Sequence, residues 1–173
     1  MNSPYMGDFR VTQRFTEGSH DGVDLVGITS KEIHSTVSGK VVYAGWENPD
    51  NHAQGFGQYV CILAGDKYYY FGHMSEIKVK NNDTVNITDV IGIEGSTGYS
   101  TGSHCHYEVR YGFYKGAKVE DINRLSGIPN ACGVYNDGYI WSGPKQPTTQ
   151  LEYDLSVVKS IEFKNGKLII NFD

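Results

Sequence analysis

A chain of 173 residues can bury one sizeable core but is too short for two full domains. Its 21 glycines and 13 tyrosines, with short runs of Val, Ile and Thr, favour a β-rich, turn-rich fold in which few segments invite a helix. A formal net charge of −5 argues against a surface that neutralises phosphates, so neither nucleic acid nor anionic lipid is an expected partner.

No apolar run is long enough to span a bilayer, so membrane insertion is not expected, and Met1 to Tyr5 lacks the basic and apolar regions of a signal peptide. Cys61, Cys105 and Cys132 are odd in number and widely spaced, which does not suggest a disulfide framework, and none is assigned to a metal. Cys61 reads as a small core residue.

Phe9 to Phe15 alternates Phe9, Val11, Gln13 and Phe15 against Arg10, Thr12 and Arg14, the pattern of an opening strand. Glu17-Gly18-Ser19 then turns the chain into His20-Asp21-Gly22-Val23-Asp24. Extended backbone would hold the Cα atoms of His20 and Asp24 roughly 13 Å apart, too far to share one ion. The chain must bend, and Gly22 permits it. Asp24 adjoins Val23, Leu25 and Val26, where an unpaired charge is costly and a cation is the natural compensation.

Thr36 to Trp46 predicts a strand pair turning near Gly39, Glu47 to Gly57 a loop, and Tyr59 to Leu63 with Lys67 to Phe71 a hairpin turning at Gly65-Asp66. His73 follows that hairpin. His34, ahead of a strand, and His52, in the loop, are expected to be solvated and outside any site. Ile77 to Val79 and Val85 to Ile87 flank a turn at Asn81-Asn82-Asp83, and Val90 to Glu94 is a further strand.

Gly95 to Ser103 is glycine-rich, but no Gly-Lys-Ser/Thr follows, so the loop tightens the approach to a cleft rather than cradling phosphate. It feeds a strand from His104 to Val109, whose alternation places His104 and His106 on one face and Cys105 and Tyr107 on the other. Four of the six histidines thus fall in three segments, which are expected to converge on one catalytic zinc. Val119 to Leu125 predicts a short helix with Glu120 and Asp121 in its first turn and Gly127 as its stop.

After Pro129 the composition shifts to Asn, Gly, Pro and Thr. Residues 1–129 are read as the site-bearing domain. Residues 130–173 are read as a linker, hugging that domain through Tyr135, Tyr139, Ile140 and Trp141, and a C-terminal β-hairpin extension. The hairpin pairs Val157–Phe163 with Leu168–Phe172 about Asn165-Gly166. Its apolar face of Ile161, Phe163, Leu168, Ile170 and Phe172 is expected to dock on the domain or on a second copy.

The set His20-x-x-x-Asp24, Gly72-His73-Met74-Ser75 and Gly95-x-Thr97-Gly98-x-Ser100-Thr101-Gly102-x-His104-x-His106-Tyr107-Glu108-Val109 resembles the lysostaphin-type, or LytM-like, zinc endopeptidases of bacterial cell walls. The likeness runs from about Val11 to Ile128. It implies a mainly β fold, an antiparallel β-sheet with long loops around a groove and one short helix. It implies one Zn²⁺ per chain held by His20, Asp24 and His106, with His73 and His104 as catalytic histidines that are not ligands. The implied activity is hydrolysis of peptide bonds in peptidoglycan, in the cross-bridge or the stem peptide, outside the cytoplasm. Without an export signal, a chain of this size resembles a bacteriophage lysin, virion-associated or holin-released, or a domain of a larger protein. Cys105 stands where the family usually has an aliphatic residue, and strand alternation turns it into the packing.

Such a centre keeps a fourth position for water, and with no His-Glu-x-x-His helix present, His73 or His104 takes the proton; the sequence does not rank them. Glu108 reads either as a partner behind a ligand or as a solvent-facing strand residue. Two rival functions are a non-catalytic peptidoglycan-binding adaptor or activator, and a structural phage tail-tip protein. The complete set of five site residues weighs against the first. The hairpin and linker leave room for the second, through a phage tail or self-association.

Overall fold

The computed structural model describes residues 2–137 and, as backbone strands only, residues 158–164 and 167–172. Along the chain run β1 (Gly7–Gln13), β2 (Val23–Gly27), β3 (Glu32–His34), β4 (Gly39–Trp46), β5 (Gln58–Ala64), β6 (Lys67–Met74), β7 (Glu76–Ile77), β8 (Thr84–Val85) and β9 (Val90–Ile93). They are followed by β10 (Cys105–Arg110), β11 (Val119–Glu120), α1 (Ile122–Ser126), β12 (Gly133–Asp137), β13 (Val158–Lys164) and β14 (Lys167–Phe172). Among the described residues every strand pair is antiparallel, and the large sheet runs β12-β1-β2-β10-β6-β5-β4-β8, with β11 on the end of β10. A smaller sheet, β3-β9-β7, packs on it. Among the described residues no helix is long and apolar enough to cross a membrane.

Alternation decides which face each side chain takes. Val23 and Leu25 of β2, Cys105, Tyr107 and Val109 of β10, and Phe71 of β6 turn to one face, where they join Ile33 and Ile91 of the small sheet in a single buried cluster. Burying each large apolar side chain contributes about 2 kcal/mol, so this face holds the sheet together. The opposite face of the same strands carries Asp24, His106, Glu108 and Tyr70, and it becomes the floor of the site. Cys105 lies in the core, as alternation required, and Cys61 is buried beneath Tyr59 and Tyr70.

Several local expectations change. Thr36 to Trp46 is not a strand pair but a lead-in to one strand, β4; Gly39 pairs with Val85, and a Cβ there would stand 2.3 Å from the Leu63 carbonyl oxygen. The opening strand starts earlier and ends at Gln13, which is exposed. The helix is confined to five residues because Asp121 is its N-cap, accepting from the Asn123 and Arg124 N–H groups, while Val119 and Glu120 pair with β10. Gly127 stops it at φ 70°. His34 is not solvated: it is 8% exposed and its Nδ1 lies 2.8 Å from the Thr88 carbonyl oxygen.

Beyond Pro129 the chain returns to the sheet. β12 pairs with β1 from Gly7↔Asp137 to Val11↔Gly133, so the ladder continues into the segment read as linker. Tyr135 packs against the core, whereas Tyr139, Ile140 and Trp141 lie outside the described residues. β13 and β14 form the expected hairpin, with Phe163 opposite Leu168 and Ile161 opposite Ile170. The Asn165-Gly166 turn and the docking of the apolar face lie outside the described residues.

Candidate metal centre

Asp24 and His106 are direct register partners across the β2–β10 ladder, and the His106 Nδ1 lies 2.8 Å from the Asp24 Oδ1. His20 arrives from the loop before β2, turned back by a bridge to Thr16, and its Nε2 stands 3.2 Å from the same oxygen. One donor atom from each of His20, Asp24 and His106 lies within 4.8 Å of the others, the one such group of His, Cys, Asp or Glu side chains among the described residues. Gly22 serves this approach by leaving room. Its φ is not in the left-handed region, but a Cβ would lie 2.6 Å from the Tyr107 carbonyl oxygen and 2.7 Å from the His106 Nε2.

His73 and His104 stand beside the trio with ring centroids 4.5 Å apart. His73 Nδ1 lies 2.7 Å from the Thr97 carbonyl oxygen, and His104 Nδ1 lies 2.8 Å from that of Gly102. A carbonyl can only accept, so each neutral ring carries its proton on Nδ1 and offers Nε2 as an acceptor. His20 is held alike by the Arg14 carbonyl oxygen, at 3.0 Å. The His104 Nε2 is 3.7 Å from the Asp24 Oδ2. His73 sits at φ 64°, a left-handed conformation unusual for a residue with a Cβ, at the end of β6.

Charge in the site is finely opposed. Burial pushes the Asp24 pKa up, but hydrogen bonds from His106 and His20 hold it far below the usual carboxylate range. Burial pulls the His106 imidazole down, yet Asp24 and Glu108 raise it to about 9. Burial lowers His73 to about 4, against the Thr97 carbonyl, so its ring is neutral. Two imidazole nitrogens and one buried carboxylate on a common centre are a donor set that fits Zn²⁺ with a position to spare. In the protein alone, the protonated His106 balances Asp24.

A cleft of about 620 Å³ opens over this group and is lined by all five histidine and aspartate side chains. Its far wall is aromatic: Phe56, Tyr59, Tyr70 and Phe113, with Arg110 over the Phe56 and Tyr70 rings. A second, smaller hollow of about 290 Å³, lined by Thr12, Gln13, Thr101 and Ser103 among others, continues past Asp24 and His104. The two hollows share Gln13, Asp24, Thr101 and His104 in their linings. The loop 47–57 and the glycine-rich loop 95–103 are tied together, Gly98 N–H donating to the His52 carbonyl oxygen and Tyr99 N–H to that of Gly55. His52 is exposed, as expected, and its ring stacks on Trp46 at 3.6 Å, outside the site.

The aromatic wall had only a partial signal in the sequence. Tyr68 and Tyr70 share parity with each other in β6, and register places Tyr70 opposite Glu108, but Phe56 and Phe113 come from loops that carry no periodicity. The solvent-facing reading of Glu108 is corrected: the residue is 1% exposed and its Oε2 lies 3.0 Å from the His106 Nε2.

The family model described as Peptidase family M23 matches residues 18–121. Lysostaphin of Staphylococcus simulans is 32% identical over 106 residues, covering 60% of this chain and 20% of that protein. The murein hydrolase activator NlpD of Salmonella dublin is 32% identical over 125 residues, covering 70% and 30%. Among solved structures, a catalytic-domain variant of the prophage-encoded M23 protein EnpA from Enterococcus faecalis matches with TM-score 0.57 at 27% identity, over 69% of this chain and 94% of that one. The catalytic domain of S. simulans lysostaphin matches with TM-score 0.56 at 28% identity, over 68% and 89%. The chain thus spans 20–30% of the length of these curated relatives.

Proposed function

Because this chain belongs to peptidase family M23, we propose that it is a zinc-dependent endopeptidase that hydrolyses peptide bonds of bacterial peptidoglycan. The observation that carries the reading is the convergence of His20, Asp24 and His106 at the floor of an open cleft, with His73 and His104 beside them, each anchored through Nδ1. His20, Asp24 and His106 would hold the ion. When bound, Zn²⁺ supplies Lewis acidity toward a scissile carbonyl and toward the attacking water.

The remaining work falls to this chain's own groups. The cleft aligns an extended peptide across the centre, and the loop pair limits water around it. One of the His73 and His104 Nε2 atoms accepts the proton of the attacking water. The other, as an imidazolium that has drawn its proton from solvent, donates to the oxygen that gains negative charge as the carbonyl becomes tetrahedral; as the C–N bond breaks, the first histidine passes the proton it took from water to the leaving nitrogen. Each Nδ1, anchored to a carbonyl, keeps its ring from turning away.

The proposed place of action is the cell wall, outside the cytoplasm, and the prophage-encoded neighbour supports an origin in a phage lysin. A second reading, an activator of other wall hydrolases, is favoured by the likeness to NlpD over 70% of this chain. Purified zinc-loaded protein separates the two. The peptidase alone should release new amino termini from cell walls of at least one bacterium, identified by mass spectrometry. Walls left uncut by the protein alone, but cut faster by an added hydrolase in its presence, would establish the activator instead.

A further inference from the structure

We infer that Glu108 and Arg110 are positioning residues for the metal centre: Arg110 orients the Glu108 carboxylate, and that carboxylate aims the His106 ring so that Nδ1 faces the ion. The inference rests on the zinc reading above. Strand alternation sends His106, Glu108 and Arg110 of β10 to one face, side by side. On one edge of the His106 ring, Nδ1 meets Asp24 Oδ1 at 2.8 Å; on the other, Nε2 meets Glu108 Oε2 at 3.0 Å. Glu108 Oε1 is engaged by the Arg110 Nε in an ion pair. A guanidinium has donors only, so it takes one carboxylate oxygen and leaves the other turned toward the imidazole.

Arg110 is itself fixed. Its guanidinium carbon lies 5.3 Å from the Tyr70 ring centroid and 5.7 Å from that of Phe56, whose ring is 5.6 Å from His106. The absence of a Cβ at Gly22 leaves the space that the His106 Nε2 and Glu108 occupy. The ring therefore cannot swing toward solvent without breaking a buried contact. The other metal-facing histidine, His20, meets Asp24 through Nε2 but a backbone carbonyl, that of Arg14, through Nδ1, so the carboxylate–arginine relay behind the ring belongs to His106.

The test uses zinc affinity by chelator competition, the visible spectrum of the cobalt-loaded protein, and melting of the metal-free protein. Glu108→Ala should weaken zinc binding by about 10- to 100-fold and alter the cobalt bands, while Glu108→Gln, whose side-chain oxygen still accepts from Nε2, should recover most of the affinity. The double substitution Glu108→Leu with Arg110→Met replaces the ion pair by apolar groups, which keeps the strand packed and the metal-free melting temperature at or above the parent's. It should bind zinc as weakly as Glu108→Ala. A double variant within about threefold of the parent's zinc affinity, with unchanged cobalt bands, overturns the inference. A parent chain that takes up no zinc overturns the metallopeptidase reading instead.

Discussion

Asp24 is shared by three imidazoles, with His106 and His20 on one oxygen and His104 nearest the other. Replacing it by Ala should remove both the metal and the charge that keeps His106 protonated, so zinc content measured by mass spectrometry should fall to background. His73→Ala and His104→Ala should instead keep zinc and lower turnover by about 10²- to 10⁴-fold, the usual share of a positioned acid or base. His73 adds a backbone test. At φ 64° an L side chain is strained, so His73→Gly should be more stable than His73→Ala by about 1 kcal/mol in chemical denaturation, with both equally inactive. The pH dependence follows from His106. Its pKa, raised to about 9 in the folded metal-free chain, means that its contacts contribute fully below about pH 6.5, the ordinary histidine value, and are lost as pH rises through 9. Metal-free protein should therefore lose stability over that window in denaturant titrations. Zinc uptake near pH 7.5 should release a proton, seen calorimetrically as a buffer-dependent heat.

At the scale of elements, what was legible followed simple periods. The β5–β6 hairpin was readable from its Gly65-Asp66 turn, and β10 from His-x-His alternation, because each writes its own boundary locally. The strand β12 was not: Gly133–Asp137 has the composition of a loop, and only the open edge of β1 makes it a strand. β4 misled because Gly39, which resembles a turn residue, is needed for close approach to Leu63. Three segments of the site announced themselves by residue type, whereas the burial of Glu108 and the aromatic wall depend on which strands become neighbours, a long-range fact. Loop joining is a second such fact. Gly98 sits at φ 75°, and a Cβ there would meet the Gly57 nitrogen at 2.2 Å, so Gly98→Ala should part the two loops. The measurable result is faster amide exchange at position 98 and at Tyr99 than in the parent, with zinc affinity kept and wall hydrolysis reduced.

At the scale of the molecule, the buried face carries the stability and the opposite face spends some of it on crowding charged groups. A bound ion should return part of that. Zinc in hundredfold excess over its dissociation constant stabilises by about 2.7 kcal/mol, or roughly 5–10 °C in melting temperature for a domain of this size, and chelator should reverse the gain. The acid limit has its own source. Glu94 is buried where Tyr5, the Gly27 N–H, Lys31 and Ser103 all meet it, and the last three with Tyr5 hold its pKa down against burial. Its stabilising share is thus present above the ordinary glutamate range and disappears as pH falls through its lowered value.

Asp24 and His106 are separated by 82 positions along the chain, yet they meet as the two ends of one rung in the β2–β10 ladder. During synthesis the trio of His20, Asp24 and His106 can therefore assemble only once β10 has been made. A fragment that stops short of β10 carries His20 and Asp24 without His106, and so lacks the complete donor set.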